Sequence, residues 1–325
     1  MNWILMLVKI VSISGGIYLL ISLALIFSQY PQPFKQSKGL DFSQIGGDIQ
    51  PMTPLNYTAR DGVTLAYRHF GKGEAGPLVV VVHGSGAFGV AYDGLARGIA
   101  ARGAEVLLPD LRGHGTNPKP RGDVAYVGQF EDDLMDLIKL HLKKGQKLVL
   151  LGHSSGGGLV TRFAGGQYGD KLDKAVLLAP FLKYNAPTTR ESSGGWARVL
   201  TRRVIGLSML NNVGITQLNH LVMIQFNFPD TVRGGPYKDQ LTDAYSFALN
   251  TSYAPRNDYL SDIKALPKFA LIVGDQDEAF FAGEYEPLMS EVTDKGQYFV
   301  LEGVSHLGVS SDPQTKEIIA TFLDD

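Results

Sequence analysis

The chain opens on one long apolar run and then changes to short apolar bursts separated by amphipathic stretches. From Trp3 to Phe27, 25 residues are broken only by Lys9, a few serines and Gly15–Gly16. About 20 apolar residues cross a bilayer as a helix, and no amphipathic face relieves this run. Residues 1–28 are therefore read as a transmembrane anchor. A cleaved signal peptide is the alternative, but its apolar core is shorter and ends in small residues, and Ile26-Phe27-Ser28 is a poor cleavage site. Residues 29–52, with Pro31, Pro33 and Pro51, read as a linker. Lys9 on one side and Lys35 and Lys38 on the other nearly balance the positive-inside rule. The bulk of the chain is expected on the extracytoplasmic side.

Beyond the linker, residues 56–70 read as two short strands around Arg60-Asp61-Gly62, a pair suited to a tight hairpin. Apolar strands then alternate with helical patterns. Strands are expected at 78–82, 105–108, 148–151 and 175–178, and helices at 90–102, 129–143 and 155–168. After a long interval come strand 269–273, a helix near 284–292, strand 298–301 and a helix near 313–323. Near-continuous apolar strands separated by helices predict an α/β fold, with a mostly parallel sheet covered on both faces. The interval 181–262 breaks the alternation and reads as an inserted helical cap. It divides the core into 53–180 and 263–325.

Composition narrows the chemistry. There are 30 basic and 32 acidic residues, for a net charge of −2, so no chain-wide basic footprint invites nucleic acid. The absence of cysteine removes disulfides, thiolate nucleophiles and cysteine-ligated metal sites. Glycine is in excess, with 38 residues, 21 of them within 71–170. That stretch must hold many unusual turns.

One of those turns is expected to carry a nucleophile. Gly152-His153-Ser154-Ser155-Gly156 sits between a buried strand and a helix. A turn this sharp strains the serine backbone and presents its Oγ at a helix N-terminus, where developing negative charge is favoured. With His83-Gly84-Ser85-Gly86 upstream and Asp110-Leu111-Arg112-Gly113-His114-Gly115 between them, the chain resembles the α/β-hydrolase superfamily over about residues 53–325. Within it, the pattern is most similar to the monoacylglycerol lipase, lysophospholipase and serine-aminopeptidase-like group. The resemblance implies an oxyanion hole made by the backbone N–H groups of Ser85 and Ser155.

In this fold the triad runs serine, acid, histidine along the chain. Of the seven histidines only His306 lies late enough, after the last strand. The preceding strand ends in Gly274-Asp275-Gln276-Asp277-Glu278. The family pattern Gly-x-x-Asp selects Asp277, with Asp275 the runner-up and Glu278 behind it. Asp277 would orient His306, which would take the Ser154 proton. His83 and His153 are expected to shape loops, and Asp110, Arg112 and Asp133 to pin them. Gly84-Ser85-Gly86-Ala87-Phe88-Gly89 also matches a dinucleotide-binding pattern, with Asp110 at the right distance. That reading leaves Ser154, Asp277 and His306 without a role. No cofactor and no metal site are expected.

In this architecture the cap sets substrate choice. Trp196, Leu207, Met209, Leu210, Leu221, Met223, Phe226 and Phe228 make it apolar, and Arg198, Arg202 and Arg203 lie on a solvated face or meet anionic head groups. Together with the anchor, this favours a lipid-derived ester such as a monoacylglycerol or lysophospholipid. An acyltransferase, a peptidase or an idle hydrolase fold used for binding are the alternatives.

Overall fold

The computed structural model describes residues 3–34, 39–44, 50, 52–71 and 76–325. Of the linker expected at 29–52, residues 35–38, 45–49 and 51 lie outside the described residues. The apolar run forms helix α1 (Trp3–Phe27), of which only Ser22 and Ile26 are buried. It is long and apolar enough to cross a membrane.

The hairpin appears as β1 (Leu55–Thr58) and β2 (Thr64–Phe70), with Gly62 at φ +85° in its turn. The next strand, β3 (Leu78–Val82), is buried at every position, as an unalternating run of leucine and valine demands. Helix α2 (Asp93–Ala100) follows a short 3₁₀ turn at Gly89–Tyr92, so the expected helix is shorter than its pattern. Then come β4 (Glu105–Pro109), α3 (Gln129–His141), β5 (Leu148–His153), α4 (Ser155–Ala164) and β6 (Lys174–Leu178).

The segment after β6 corrects the expectation of a helical cap. It holds a three-stranded antiparallel sheet of β7 (Ala197–Val199), β8 (Val222–Phe226) and β9 (Ala244–Ser246). Helices α5 (Thr201–Asn212), α6 (Asp230–Arg233), α7 (Phe247–Tyr253) and α8 (Tyr259–Lys264) lie between and after these strands. The apolar stretch Val222–Ile224 is strand rather than helix because its neighbours satisfy its backbone laterally. Val199 pairs with Ile224, and Val222 with Ser246.

The chain returns to the main sheet through β10 (Lys268–Gln276), α9 (Tyr285–Ser290), β11 (Gly296–Ser305) and α10 (Pro313–Asp324). The eight strands run in the order β1-β2-β4-β3-β5-β6-β10-β11. The pairs β1–β2 and β2–β4 are antiparallel, and the rest are parallel. The carboxyl ends of the parallel strands therefore share one edge, where sites of such sheets gather.

Helix α1 does not stand alone. It lies antiparallel along α5: the Tyr18 hydroxyl donates to the Met209 carbonyl, and a Cβ on Gly206 would come within 2.5 Å of the Ser22 carbonyl oxygen. The arginines expected on a solvated or lipid-facing surface have another task. Arg203 Nε donates to the Ile26 carbonyl, Arg202 to that of Ser28, and Arg198 to those of Gln32 and Pro33. The last carbonyls of a helix lack intrahelical donors and carry its negative pole. Two of these cations, on Arg202 and Arg203, complete the end of α1, and Arg198 holds the chain just beyond it.

Candidate active site

Ser154 follows β5 and caps α4 with φ +54° and ψ −121°, a conformation that costs energy in any residue but glycine. The surrounding packing enforces it. A Cβ on Gly152 would come within 2.3 Å of the Gly156 carbonyl oxygen, and one on Gly156 within 2.2 Å of that of Val82. Both motif glycines are thus required for backbone to pass backbone beneath the serine.

His306 follows β11, and its Nδ1–H donates to Asp277 Oδ2 at 2.8 Å, with both side chains buried. Asp277 Oδ1 accepts from the N–H groups of Ala279 and Phe280, each at 2.8 Å. Burial alone would raise the Asp277 pKa. The charge and hydrogen bond of His306 and the two backbone donors outweigh it and hold the carboxyl below its ordinary value. The neighbouring carboxylates are differently employed. Asp275 Oδ1 accepts from the Gly303 N–H. Glu278 bridges the backbone N–H groups of His306 and Asp41. Of the three acids weighed in the sequence, Asp277 is the one on the His306 ring.

Ser154 and His306 line one cleft with Gly84, Ser85, Tyr92, His153, Trp196 and Phe228. The turn after β3 is held on both sides of Ser85: the Gly84 N–H donates to the Tyr92 hydroxyl and the Gly86 N–H to the Tyr245 hydroxyl. Ser155 opens α4, where a helix leaves its first N–H groups free. The hydroxyls of Ser85 and Ser155 lie 2.5 Å apart, which brings the two backbone turns together.

The supporting histidines behave as expected. His153 sits between the Tyr92 hydroxyl (2.7 Å) and the His306 carbonyl oxygen (2.9 Å), so it braces the backbone of His306. His83 accepts from the Leu111 N–H through Nε2. Burial pulls the pKa of His153 down to about 3 and that of His83 down to about 4. Asp110 accepts from Arg68, from the Gly89 and Thr116 N–H groups and from the Thr116 hydroxyl. Both its oxygens are engaged in loop pinning, which leaves little for a ribose. Arg112 pairs with Asp133 and Asp61.

Two wall residues come from a place the sequence reading assigned to a linker. Leu40 and Phe42 line the cleft, and the Phe42 ring packs on Trp196 and Phe228 at 5.7 and 5.8 Å. The cleft interior is only about 50 Å³. A second cavity of about 680 Å³ lies beside it and shares Leu40 and Phe228 as lining. These two side chains stand between the small cleft at Ser154 and the larger neighbouring space.

The fold and these motifs define an α/β hydrolase. Comparison with known proteins agrees with that fold: the family model described as serine aminopeptidase, S33, matches residues 73–233, just under half of the chain. Uncharacterised proteins of Mycobacterium bovis and Mycobacterium tuberculosis are 32% identical over 132 residues, 41% of this chain but only 36% of their own length. A non-heme chloroperoxidase of Kitasatospora aureofaciens is 27% identical over 279 residues, 80% of this chain and 94% of that protein. Among solved structures, a soluble variant of monoglyceride lipase from Saccharomyces cerevisiae superposes with a TM-score of 0.65 at 16% identity, covering 91% of this chain and 98% of that one. A membrane phospholipase A described as a bacterial virulence factor gives 0.60 at 18% identity, covering 99% and 98%.

Proposed function

We propose that the chain is a membrane-anchored serine hydrolase that cleaves lipophilic carboxylic esters through a Ser154 acyl-enzyme. The observation that carries the reading is a strained serine at a strand-to-helix turn sharing one cleft with a buried His306–Asp277 pair. Asp277 keeps the proton of His306 on Nδ1, so Nε2 is free to take the Ser154 hydroxyl proton as Oγ attacks the ester carbonyl. The N–H groups of Ser85 and Ser155 receive the oxyanion; each such donor is worth about 2.7–4 kcal/mol in comparable sites. The imidazolium then gives its proton to the leaving alcohol, and water repeats the sequence to release the acid.

The apolar walls from Leu40, Phe42, Trp196 and Phe228 support an acyl chain, and the larger cavity beyond Leu40 has the volume for it. The lipase and phospholipase among the structural neighbours agree with an acylglycerol or lysophospholipid substrate. Helix α1 would hold the enzyme at its substrate's membrane, with the catalytic domain on the extracytoplasmic side and the segment between β6 and β10 acting as the cap.

A fluorophosphonate probe tests the assignment. The detergent-solubilised protein is expected to be labelled, and Ser154→Ala to lose the label. Labelling that persists in the variant overturns the reading.

A further inference from the structure

Three side chains with metal-binding atoms meet at the end of the sheet remote from the cleft. His69 lies on β2, Glu105 opens β4, and His141 closes α3. His69 Nε2 is 3.0 Å and His141 Nδ1 3.7 Å from Glu105 Oε1. All three atoms lie within 4.8 Å of one another. Nitrogen and oxygen ligands about 2.0–2.2 Å from a tetrahedral ion are themselves roughly 3.3 Å apart. The cluster therefore needs little movement to close on an ion.

The other polar atoms of two of these groups are already held. Glu105 Oε2 accepts from Lys143 Nζ and Gln146 Nε2, each at 3.2 Å, which leaves Oε1 facing the histidines. His141 Nε2 bonds the Tyr67 hydroxyl at 3.1 Å, which turns Nδ1 inward. Such outer partners fix the tautomer and orientation of a ligand. His69 Nε2 is buried and makes no hydrogen bond, although Glu105 Oε1 is close. A buried ring nitrogen left in this state is costly unless something else meets it.

We propose that His69, Glu105 and His141 bind one divalent first-row transition ion, Zn²⁺ foremost, with the fourth position left to water. Two imidazoles and a carboxylate suit zinc, cobalt or nickel over magnesium or calcium. The ion is structural. Leu78 pairs with both Glu105 and Leu148, so Glu105 stands level with the start of β5, six residues and about 20 Å below Ser154. It clasps β2, β4 and the end of α3.

The experiment is calorimetric titration of Zn²⁺ into untagged, metal-stripped full chain in detergent. One ion per chain is expected, and no comparable binding of Mg²⁺ or Ca²⁺. His69→Gln and His141→Gln should each weaken Zn²⁺ at least tenfold while fluorophosphonate labelling of Ser154 is unchanged. Tyr67→Phe, which keeps every ligand, should weaken it about tenfold and so tests the site without removing part of it. Zn²⁺ should raise the Tm of the parent and not of His69→Gln. Absence of saturable Zn²⁺ binding overturns the proposal, as does parent-like affinity in both histidine variants.

Discussion

Replacing Asp277 by Asn removes one charge and leaves the shape of the site intact. The Asn oxygen can still accept from the Ala279 and Phe280 N–H groups, as Asp277 Oδ1 does. Its amide nitrogen then faces His306 Nδ1, where the carboxylate oxygen stood at 2.8 Å. Two donors cannot share that contact, so His306 moves its proton to Nε2 and can no longer accept one from Ser154. The same exchange in serine proteases of another fold lowers kcat by about 10⁴, or about 5.4 kcal/mol at 1.36 kcal/mol per decade. The pair here is fully enclosed, with side-chain exposures of 2% and 0%. The expected loss in kcat toward p-nitrophenyl butyrate is therefore about 10³–10⁴-fold, read as initial rates of the detergent-solubilised enzyme. Asp275→Asn, whose side-chain oxygen can still accept from the Gly303 N–H, should stay within about threefold. Retention of a tenth or more of the activity by Asp277→Asn, or a larger loss in Asp275→Asn, would refute the assignment of the acid.

Three further expectations follow from the same geometry. Leu40→Ala should join the small cleft to the large cavity beside it and raise the rate on long-chain relative to short-chain p-nitrophenyl esters; an unchanged ratio would show that Leu40 is no partition. His153 and His83 stay neutral when folded, with pKa values of about 3 and about 4, but protonate near 6.5 when unfolded. Their contribution is present above pH 6.5 and is lost as pH falls toward 4, at up to about 1.4 kcal/mol per pH unit for each. The Tm should drop on acidification through this window, and a flat or rising Tm would contradict the sign. Gly206→Val would drive a side chain into the Ser22 carbonyl and Ile26. It should cost about 1–3 kcal/mol, seen as a lower Tm of the detergent-solubilised protein.

The parts legible in the sequence are those whose physics is local. The elbow around Ser154 is written in five consecutive residues because strand, turn and helix meet there. Chain order after the last strands points to His306 and to a cluster of three carboxylates, among which only the family pattern Gly-x-x-Asp favours Asp277. What stayed hidden depends on distant partners. The strands β7 and β9 are three residues each, too short for a period to declare itself. Arg198, Arg202 and Arg203 read as a free basic face because the carbonyls they satisfy lie more than 160 positions away. Leu40 and Phe42 sit among linker residues, and only the fold brings them to Ser154. His69, Glu105 and His141 follow no metal-binding spacing and converge only through the β2–β4 pairing and the end of α3.

The docking of α1 on α5 also sets a depth. Tyr18 meets Met209, and Ile26 meets Arg203, so the two helices run side by side over the last turns of α1. Among the described residues, Trp3 to Ile17 lie below Tyr18, 15 residues or about 22 Å of helix. The hydrocarbon layer is about 30 Å thick. With α1 across the bilayer, the shortfall of about 8 Å has to be met by turns already clad in α5, which sinks the Met209 end of α5 beneath the headgroups. Ile205 and Val213, exposed on and just after that helix, would then face acyl chains. The segment between β6 and β10 would act as a keel, and the path from leaflet to cleft would be short.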